Sequence, residues 1–536
     1  MILIDQHSKA IMEECKRQAR IAGLSFSQET LEYIVTNKDM IELSPKVMIP
    51  TLYDYWVNDV EVLKGKGKYL VYPSNPYETV INTRPAISFY NDNNPDWLNV
   101  MIYYHVLGHI DFFQNNALFE NTWNDDFVGQ ALSDKRLIEN LRIKYGRWTD
   151  YVVEFARAID NLSGYFQQLS VNNYPEEKEL SSKLDYYFQF FLQEELKVPE
   201  HIIFNEISRY NNLFEKDPHV AEALFFTSIK EKHANFLSLY EKYLSKKQSK
   251  PQAKKDVIEF ILDHSLFLKQ ENNQWMKSII SIVRSTSLYF NPQIRTKIIN
   301  EGWASYWHDK LFRSDDRMKT HEVAFAKINA GVTSISRVGL NPYAIGLRLI
   351  EYVEDLANKG KMTWGYQKLL NIAQKEDFNI GLNKGQESIF ALRKYFSDFT
   401  LINTFVDQDF VDRHDLFVTG KRYNPQRQTI EYYVKSRKAV DYKKMLLDSL
   451  YHPPVTEVNE SKTNEKELYL NHLFEGKQLV KEFIPDVMVA LEFLWGGEVK
   501  LETTEIIAPQ KQGGELTYKS VIYSIKDRKV SKSDKA

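Results

Sequence analysis

The chain has 536 residues, 43% of them hydrophobic and 13% aromatic, so it is long enough for two or three domains with packed interiors. Its 69 basic and 72 acidic residues leave a net charge of -3, which favours neither a nucleic acid nor an anionic membrane as a partner. The single cysteine, Cys15, excludes an internal disulfide and any cysteine-based zinc or iron–sulfur site.

The N-terminus predicts a cytoplasmic protein. It carries a charge at Asp5 and lacks the apolar core of a signal peptide. No apolar run approaches the roughly 18 residues that a membrane-spanning helix needs. We therefore expect a cytoplasmic location and no membrane span.

Residues 1–96 predict an N-terminal α/β segment that packs on the main body. Residues 11–22 have the pattern of a short amphipathic helix, and a second helix is expected over residues 28–37. Residues 69–72 and 80–90 have strand-like sequences, the second of them only weakly alternating.

From Trp97 the pattern predicts helices for most of the next 260 residues. Apolar residues recur at steps of three and four between Leu98 and Phe113, which is typical of a helix. Residues 245–256 are rich in Lys, Gln and Ser and predict a solvated loop. We assign residues 97–455 to a helical main body.

The sequence pattern changes again near the C-terminus. Residues 468–470, 499–503 and 516–525 predict strands, with a helix over residues 484–495 between them. A small α/β domain over residues 456–536 is the simplest interpretation. The expected fold class is mainly α, with short β elements near the N-terminus and a small α/β C-terminal domain.

His105 and His109 stand four residues apart inside a helical pattern. At ~100° per residue, two such side chains point within about 40° of each other, one turn apart, so both imidazoles can share one divalent cation. Gly108 is costly in a helix unless another element packs closely against it. Structural or solvent-facing roles are also common for such a pair, so the spacing alone leaves that alternative open.

A carboxylate about 190 residues later can complete the site. Glu301 and His308 are seven residues apart and share a helical face, and Gly302 lets another backbone approach Glu301. Two histidines and a glutamate suit one divalent ion, zinc first and iron or manganese as alternatives. Taken alone, Glu301 could also be a surface charge or a first-turn residue stabilised by the helix dipole.

Four segments, in this order, resemble blocks of the bacterial SpoVR family: HVLGHIDFFQNN at 105–116, INEGWASYWH at 299–308, NPYAIG at 341–346 and LWGGEVKLET at 494–503. A weaker match, FVDRHDL, covers residues 410–416. The resemblance spans most of the chain, and the N-terminal quarter departs most from the family pattern. It implies an association with spore cortex formation or a stress response. It also implies a PrkA-type serine kinase and that kinase's gene-cluster partner as partners, but it supplies no biochemical activity.

The EGWA element resembles the glutamate-ligand helix of zincin-like peptidases, in which a second helix supplies two histidines. This resemblance implies His105, His109 and Glu301 as ligands, in a hydrolase of peptide or peptidoglycan-type amides. The zincin general base directly follows the first histidine, and here that position holds Val106, which cannot carry a proton. A non-catalytic regulatory or scaffolding protein is therefore the alternative class.

Five further residues are candidates for the same site. His308 is the first choice for a substitute acid/base or a fourth ligand. Asp111 is the second choice, although on a straight helix it points away from the histidines and suits orientation of a neighbour better. Asn116, Trp303 and Tyr343 are candidate substrate-binding residues. For the polar members of this set, a satisfied core or capping role is the alternative. The substrate and the oligomeric state stay open.

Overall fold

A computed structural model of the protein describes residues 2–27, 29–37, 39, 78–122, 127–164, 182–196, 198, 200–217, 220–233, 235–247, 255–450, 453–474, 478–507 and 517–534. The chain divides into two compact units, one formed by residues 1–165 with 256–536 and the other by residues 166–255. The predicted strand at 69–72 and most of the predicted loop at 245–256 lie outside the described residues.

The protein is mainly α, as predicted. The helices of the larger unit are α1 (Gln6–Ile21), α2 (Asp96–Asn115), α3 (Phe127–Tyr145), α4 (Arg147–Ala158), α9 (Val257–His264), α10 (Leu266–Lys269), α11 (Gln274–Arg295), α12 (Lys297–Ser314), α13 (Glu322–Val332), α14 (Pro342–Lys359), α15 (Trp364–Gln367), α16 (Ile372–Glu376), α17 (Gly385–Tyr395), α18 (Asp398–Phe405), α19 (Gln408–Arg413), α20 (Ala439–Ser449) and α21 (Ile484–Trp495). Short 3-10 helices cover Ala117–Thr122, Asp160–Leu162, Glu271–Asn273 and Asp316–His321. None of the helices in the described ranges combines the length and apolar character needed to cross a membrane.

All the secondary-structure elements described in the smaller unit are helices. It consists of α5 (Ser182–Asp185), a π-helix (Tyr186–Glu195), α6 (Glu200–Lys216), α7 (Ala221–Lys232) and α8 (Phe236–Lys247). Aromatic side chains fill its core, among them Tyr187, Phe191, Phe225 and Phe236. Their edge-to-face contacts supply the packing that the high aromatic content requires.

The N-terminal strands are β1 (Ile2–Leu3), β2 (Thr30–Val35), β3 (Glu78–Ile81) and β4 (Ala86–Asn91). They form one sheet in the order β1-β2-β4-β3, in which only β2 and β4 run parallel. The single extended edge strand predicted at 80–90 is confirmed only in part: the segment forms two antiparallel strands, and β4 lies inside the sheet between β2 and β3. The predicted helix at 28–37 is wrong: the segment is β2, because strand pairing on both sides overrides the local helical pattern.

The C-terminal strands are β7 (Val455–Val458), β8 (Glu467–Leu473), β9 (Glu498–Ile507), β10 (Thr517–Lys526) and β11 (Lys529–Asp534), in the order β11-β10-β9-β8-β7. Only β8 and β9 run parallel, and α21 is the helix that connects them. The three predicted strands and the helix at 484–495 are confirmed. The apolar face of this sheet shares a core with α4, α9 and α11. The predicted domain boundaries after residues 96 and 455 stay predictions.

Three central helices approach one another through small residues. A Cβ atom on Gly108 of α2 would lie 2.8 Å from the Cα of Ala304 in α12. A Cβ atom on Gly302 of α12 would lie 2.3 Å from the carbonyl carbon of Gly346 in α14. The close approach that the sequence predicted at both glycines is therefore confirmed. It holds α2 and α12 backbone against backbone, and these two helices carry the candidate metal ligands.

The first turn of α12 is capped from a distant part of the chain. Asp398, at the start of α18, accepts hydrogen bonds from the backbone N–H groups of Ile298 and Ile299, each at 2.8 Å. Because all three residues are buried, Asp398→Ala leaves two donors without an acceptor, and we expect it to lower the free energy of unfolding by roughly 2–3 kcal/mol. Equilibrium unfolding in denaturant measures the change. Asp398→Asn keeps one acceptor oxygen but turns its NH₂ group, which can only donate, toward the other backbone N–H, so we expect it to destabilise the protein as well. Equal stability of the alanine variant and the wild type would contradict the capping role.

Candidate metal centre

The structure brings His105, His109 and Glu301 into one buried group that could hold a metal ion. The Oε2 atom of Glu301 lies 3.7 Å from the Nε2 atom of His105 and 3.5 Å from that of His109. The two Nε2 atoms are 3.1 Å apart. In a tetrahedral zinc site, ligand atoms ~2.0–2.1 Å from the ion lie about 3.3 Å from one another. The three side chains therefore stand close to coordination geometry already.

A hydrogen bond to Asn300 sets the tautomer of His109. The Nδ1 atom of His109 lies 2.9 Å from the Oδ1 atom of Asn300, which can only accept, so Nδ1 carries the proton and donates it. Burial lowers the pKa of His109 to about 4, so the ring is neutral near pH 7. Its Nε2 atom consequently presents a lone pair toward Glu301.

A longer buried chain sets the tautomer of His105. Asn329 donates from Nδ2 to Asp309 at 2.8 Å, which turns its amide oxygen toward the Nε2 atom of His308 at 2.9 Å. His308 must therefore donate from Nε2 and accept at Nδ1, where the Nδ1 atom of His105 lies 2.8 Å away. His105 donates from Nδ1, so its Nε2 atom, which faces Glu301, is the nitrogen available to a metal ion.

The two Nε2 atoms and the Oε2 atom of Glu301 thus converge as three candidate ligand atoms. Burial alone would raise the pKa of the Glu301 carboxyl, but His105 and His109 in their protonated forms, together with Lys297, favour the charged carboxylate and hold the pKa well below its ordinary value, so the group is ionised. Among the described residues, the Oε2 atom of Glu301 has no hydrogen-bond partner. Buried lone pairs that face one another are unfavourable unless a cation or a proton lies between them.

Lys297, Tyr343 and Glu78 flank the three ligands. The exposed ammonium of Lys297 donates to the other Glu301 oxygen at 2.5 Å, one helical turn away. The ring of Tyr343 stacks on His105 with 5.9 Å between centroids. Burial and the charge of Glu301 raise the pKa of Glu78, the first residue of β3. Burial and the charges of Glu301 and Glu78 likewise raise the pKa of the Tyr343 hydroxyl.

Two candidate acid/base residues are engaged elsewhere. Both ring nitrogens of His308 are hydrogen bonded, and burial lowers its pKa to about 3. It supports His105 rather than joining the group of ligand atoms. Asp111 accepts from Arg393 at 2.6 Å and from the indole N–H of Trp303 at 2.8 Å. The structure therefore joins Asp111 and Trp303 to each other, with both side chains fully buried.

Asn116 also has its own partners. Its Nδ2 atom donates to the carbonyl oxygens of Arg393 and Phe396, and its Oδ1 atom accepts from the backbone N–H of Leu118. The amide thereby ends α2 and ties it to the end of α17. Of the three candidate substrate-binding residues, only Tyr343 contacts a candidate ligand.

The arrangement defines a class: a mainly helical protein in which two helices bring two histidines and a glutamate together as a candidate metal centre. The chain belongs to the SpoVR family, since the family model described as "SpoVR like protein" matches residues 5–452. It is similar to "Uncharacterized protein YcgB" of Escherichia coli (strain K12), with 21% identity over 511 residues, which cover 92% of this chain and 90% of that protein. No solved structure matches the chain.

Proposed function

We propose that this SpoVR-family protein binds one divalent metal ion through His105, His109 and Glu301. The observation that supports the proposal most is the convergence of two imidazole nitrogens and one carboxylate oxygen in a buried group, in which that oxygen has no hydrogen-bond partner among the described residues. Nitrogen ligands with a single carboxylate suit zinc first, with iron or manganese as alternatives.

Metal analysis of the purified full-length chain tests this proposal. After loading with zinc, manganese or iron(II) and removal of excess ion, mass spectrometry of the metal content should find about one ion per chain. Bound ion should also raise the thermal midpoint of unfolding, because a ligand that binds only the folded state stabilises that state. A metal content well below one ion per chain under all three loading conditions would contradict the proposal.

Asn329→Leu should weaken metal binding without abolishing it. The substitution removes the acceptor that orients His308 and, through it, the tautomer of His105. Loss of such an outer partner typically lowers metal affinity about 10–100-fold. Competition with a chelator of known affinity measures the change, and Asn403→Leu, at an exposed position of α18, is the matched control. Equal metal affinities of the two variants would show that the hydrogen bonds from Asn329 through His308 do not affect His105 as a metal ligand.

We further propose that the centre serves a hydrolase of peptide or peptidoglycan-type amides, in line with the zincin-like resemblance. A divalent ion held there would supply Lewis-acid polarisation of the scissile carbonyl. Val106 leaves the usual proton carrier missing, His308 has no ring nitrogen to spare, and Asp111 is paired with Arg393. Glu78 is the remaining carboxylate that the described part of the chain brings near the site, and its raised pKa suits a group that takes up and returns a proton.

Glu78→Gln should therefore abolish turnover and leave metal binding intact. The amide keeps the size of the side chain but cannot carry a proton, and loss of a general base typically costs about 10²–10⁴-fold in rate. Hydrolysis of a panel of peptides and muramyl-peptide amides by the metal-loaded chain measures it, with metal content determined in parallel. A variant as active as the wild type would exclude Glu78 from the reaction.

A regulatory or scaffolding protein is the second candidate, and Val106 favours it. In this alternative the metal centre stabilises the fold, and the protein acts in the cytoplasm with a PrkA-type kinase and its gene-cluster partner in a stress response or in spore cortex formation. Family membership supports this association. Stoichiometric metal without turnover on the whole panel, together with co-purification of the kinase, would favour it over the hydrolase.

A further inference from the structure

A two-stranded ribbon projects a second chemically distinctive surface. Strands β5 (Val418–Asn424) and β6 (Thr429–Ser436) pair antiparallel, and no third strand joins them among the described residues. Thr419 donates a hydrogen bond to the carbonyl of Arg337, so the chain before α14 runs beside β5. The edge of β6 is left as a row of backbone donors and acceptors that an extended segment can pair with.

One face of this ribbon is apolar although it is exposed. The register sets Tyr423 opposite Ile430, Lys421 opposite Tyr432 and Thr419 opposite Val434, so these six side chains share one face. Tyr423 is 64% exposed, Ile430 60%, Tyr432 49% and Val434 46%. Such large side chains on a single solvated face are typical of a surface that binds another chain. We name these six residues the ribbon face.

The ribbon face continues into a cavity of about 330 Å³. Thr419, Lys421 and Tyr432 line it from the ribbon, Met445 and Leu446 of α20 line it from below, and residues 335–341 close one side. A cavity of this size accommodates one large apolar side chain. A strand laid along β6 can therefore place one side chain there while its alternate residues face solvent.

The charge of the ribbon indicates the character of its partner. Residues 418–438 contain six basic residues and one acidic residue, a net charge of +5 in a chain whose total is -3. Glu431, the acidic residue, is paired with Arg422. Lys421 and Lys435 have no ion-pair partner among the described residues. An acidic segment would therefore be attracted to the ribbon, and this attraction would raise its rate of association and favour it over a basic segment.

We propose that the ribbon face binds an extended acidic segment of a partner protein, which adds to the edge of β6 as a third strand. Backbone hydrogen bonds along the edge would supply register, apolar side chains at alternate positions would cover Tyr423, Ile430 and Tyr432, and one of them would fill the cavity. An acidic side chain on the same side of the added strand as these apolar side chains would meet Lys421, which shares the ribbon face. The proposal is independent of the metal centre.

A randomised 12-residue peptide library selected on the full-length protein tests this binding mode. Enriched peptides should carry apolar residues together with at least one Asp or Glu at alternate positions, on one face of the strand. An enriched peptide, labelled with fluorescein, should bind more weakly as salt increases. Lys421→Glu should weaken its binding at least tenfold. Lys435→Glu makes the same charge change at the residue of β6 that has no partner on β5, outside the six paired side chains of the ribbon face, and it should weaken binding less than threefold. Both positions are exposed, so thermal unfolding should be unchanged.

Several results would overturn the proposal. They are a lack of enrichment, enrichment of basic peptides, and equal effects of the two substitutions. A concentration-dependent dimer in sedimentation velocity that Lys421→Glu dissociates would identify a second copy of the chain as the occupant instead. Binding of an oligothymidylate that Lys421→Glu abolishes would identify a single-stranded nucleic acid.

Discussion

Replacing Gly346 by alanine is expected to destabilise the protein by more than about 4 kcal/mol, beyond the usual cost of an added methyl group in a packed core. The new Cβ atom would lie 2.1 Å from the carbonyl oxygen of Ile298 and 2.8 Å from the Cα of Gly302. Both atoms belong to the backbone of α12, so no flexible side chain can move aside. Relief requires α12 and α14 to separate. Equilibrium unfolding of the full chain in denaturant measures the loss.

Gly331 offers a matched control in the neighbouring helix α13. A Cβ atom there meets no atom within 4 Å in the described structure, so Gly331→Ala should stabilise the protein by up to about 1 kcal/mol through helix propensity. The same substitution is thus expected to have opposite signs at two helical glycines. If Gly346→Ala left the free energy of unfolding as high as Gly331→Ala does, the close backbone contact between α12 and α14 would be contradicted.

Much of the fold could be predicted because its signals are local. The helix at 484–495 and the strands around it follow from periodicity within a dozen residues, and the structure confirms them. The helix predicted at 28–37 was wrong for the opposite reason. The strand conformation of this segment depends on pairing with β4, more than fifty residues away, and short-range patterns carry no information about that partner.

The candidate site divides in the same way. The four-residue spacing of His105 and His109 and the resemblance around Glu301 sufficed to predict the group that the structure brings together. Asn300 and Asn329 were missed because asparagine has many roles and its partners depend on how helices pack. Lys297 was within reach of sequence reasoning, since it stands four residues before Glu301.

Glu301→Gln and His109→Ala are each expected to reduce bound metal from about one ion per chain to less than about 0.1, because a structural or catalytic site needs at least three protein ligands. Metal content after loading and dialysis measures the effect. His321→Ala, which removes a histidine outside the ligand group, is the matched control and should retain the ion. Full occupancy in either ligand variant would exclude the proposed centre.

Loss of metal could also follow from unfolding, and Glu301→Gln separates the two explanations. Without an ion, the ionised carboxylate faces two imidazole lone pairs, whereas the glutamine amide supplies N–H donors to them. The metal-free variant should therefore be at least as stable as the metal-free wild type, with a gain of about 1 kcal/mol from a new buried hydrogen bond. Residues arranged for a ligand commonly carry such a cost to the fold. If Glu301→Gln instead lost the ion and was also less stable than the wild type without metal, Glu301 would have a structural role only.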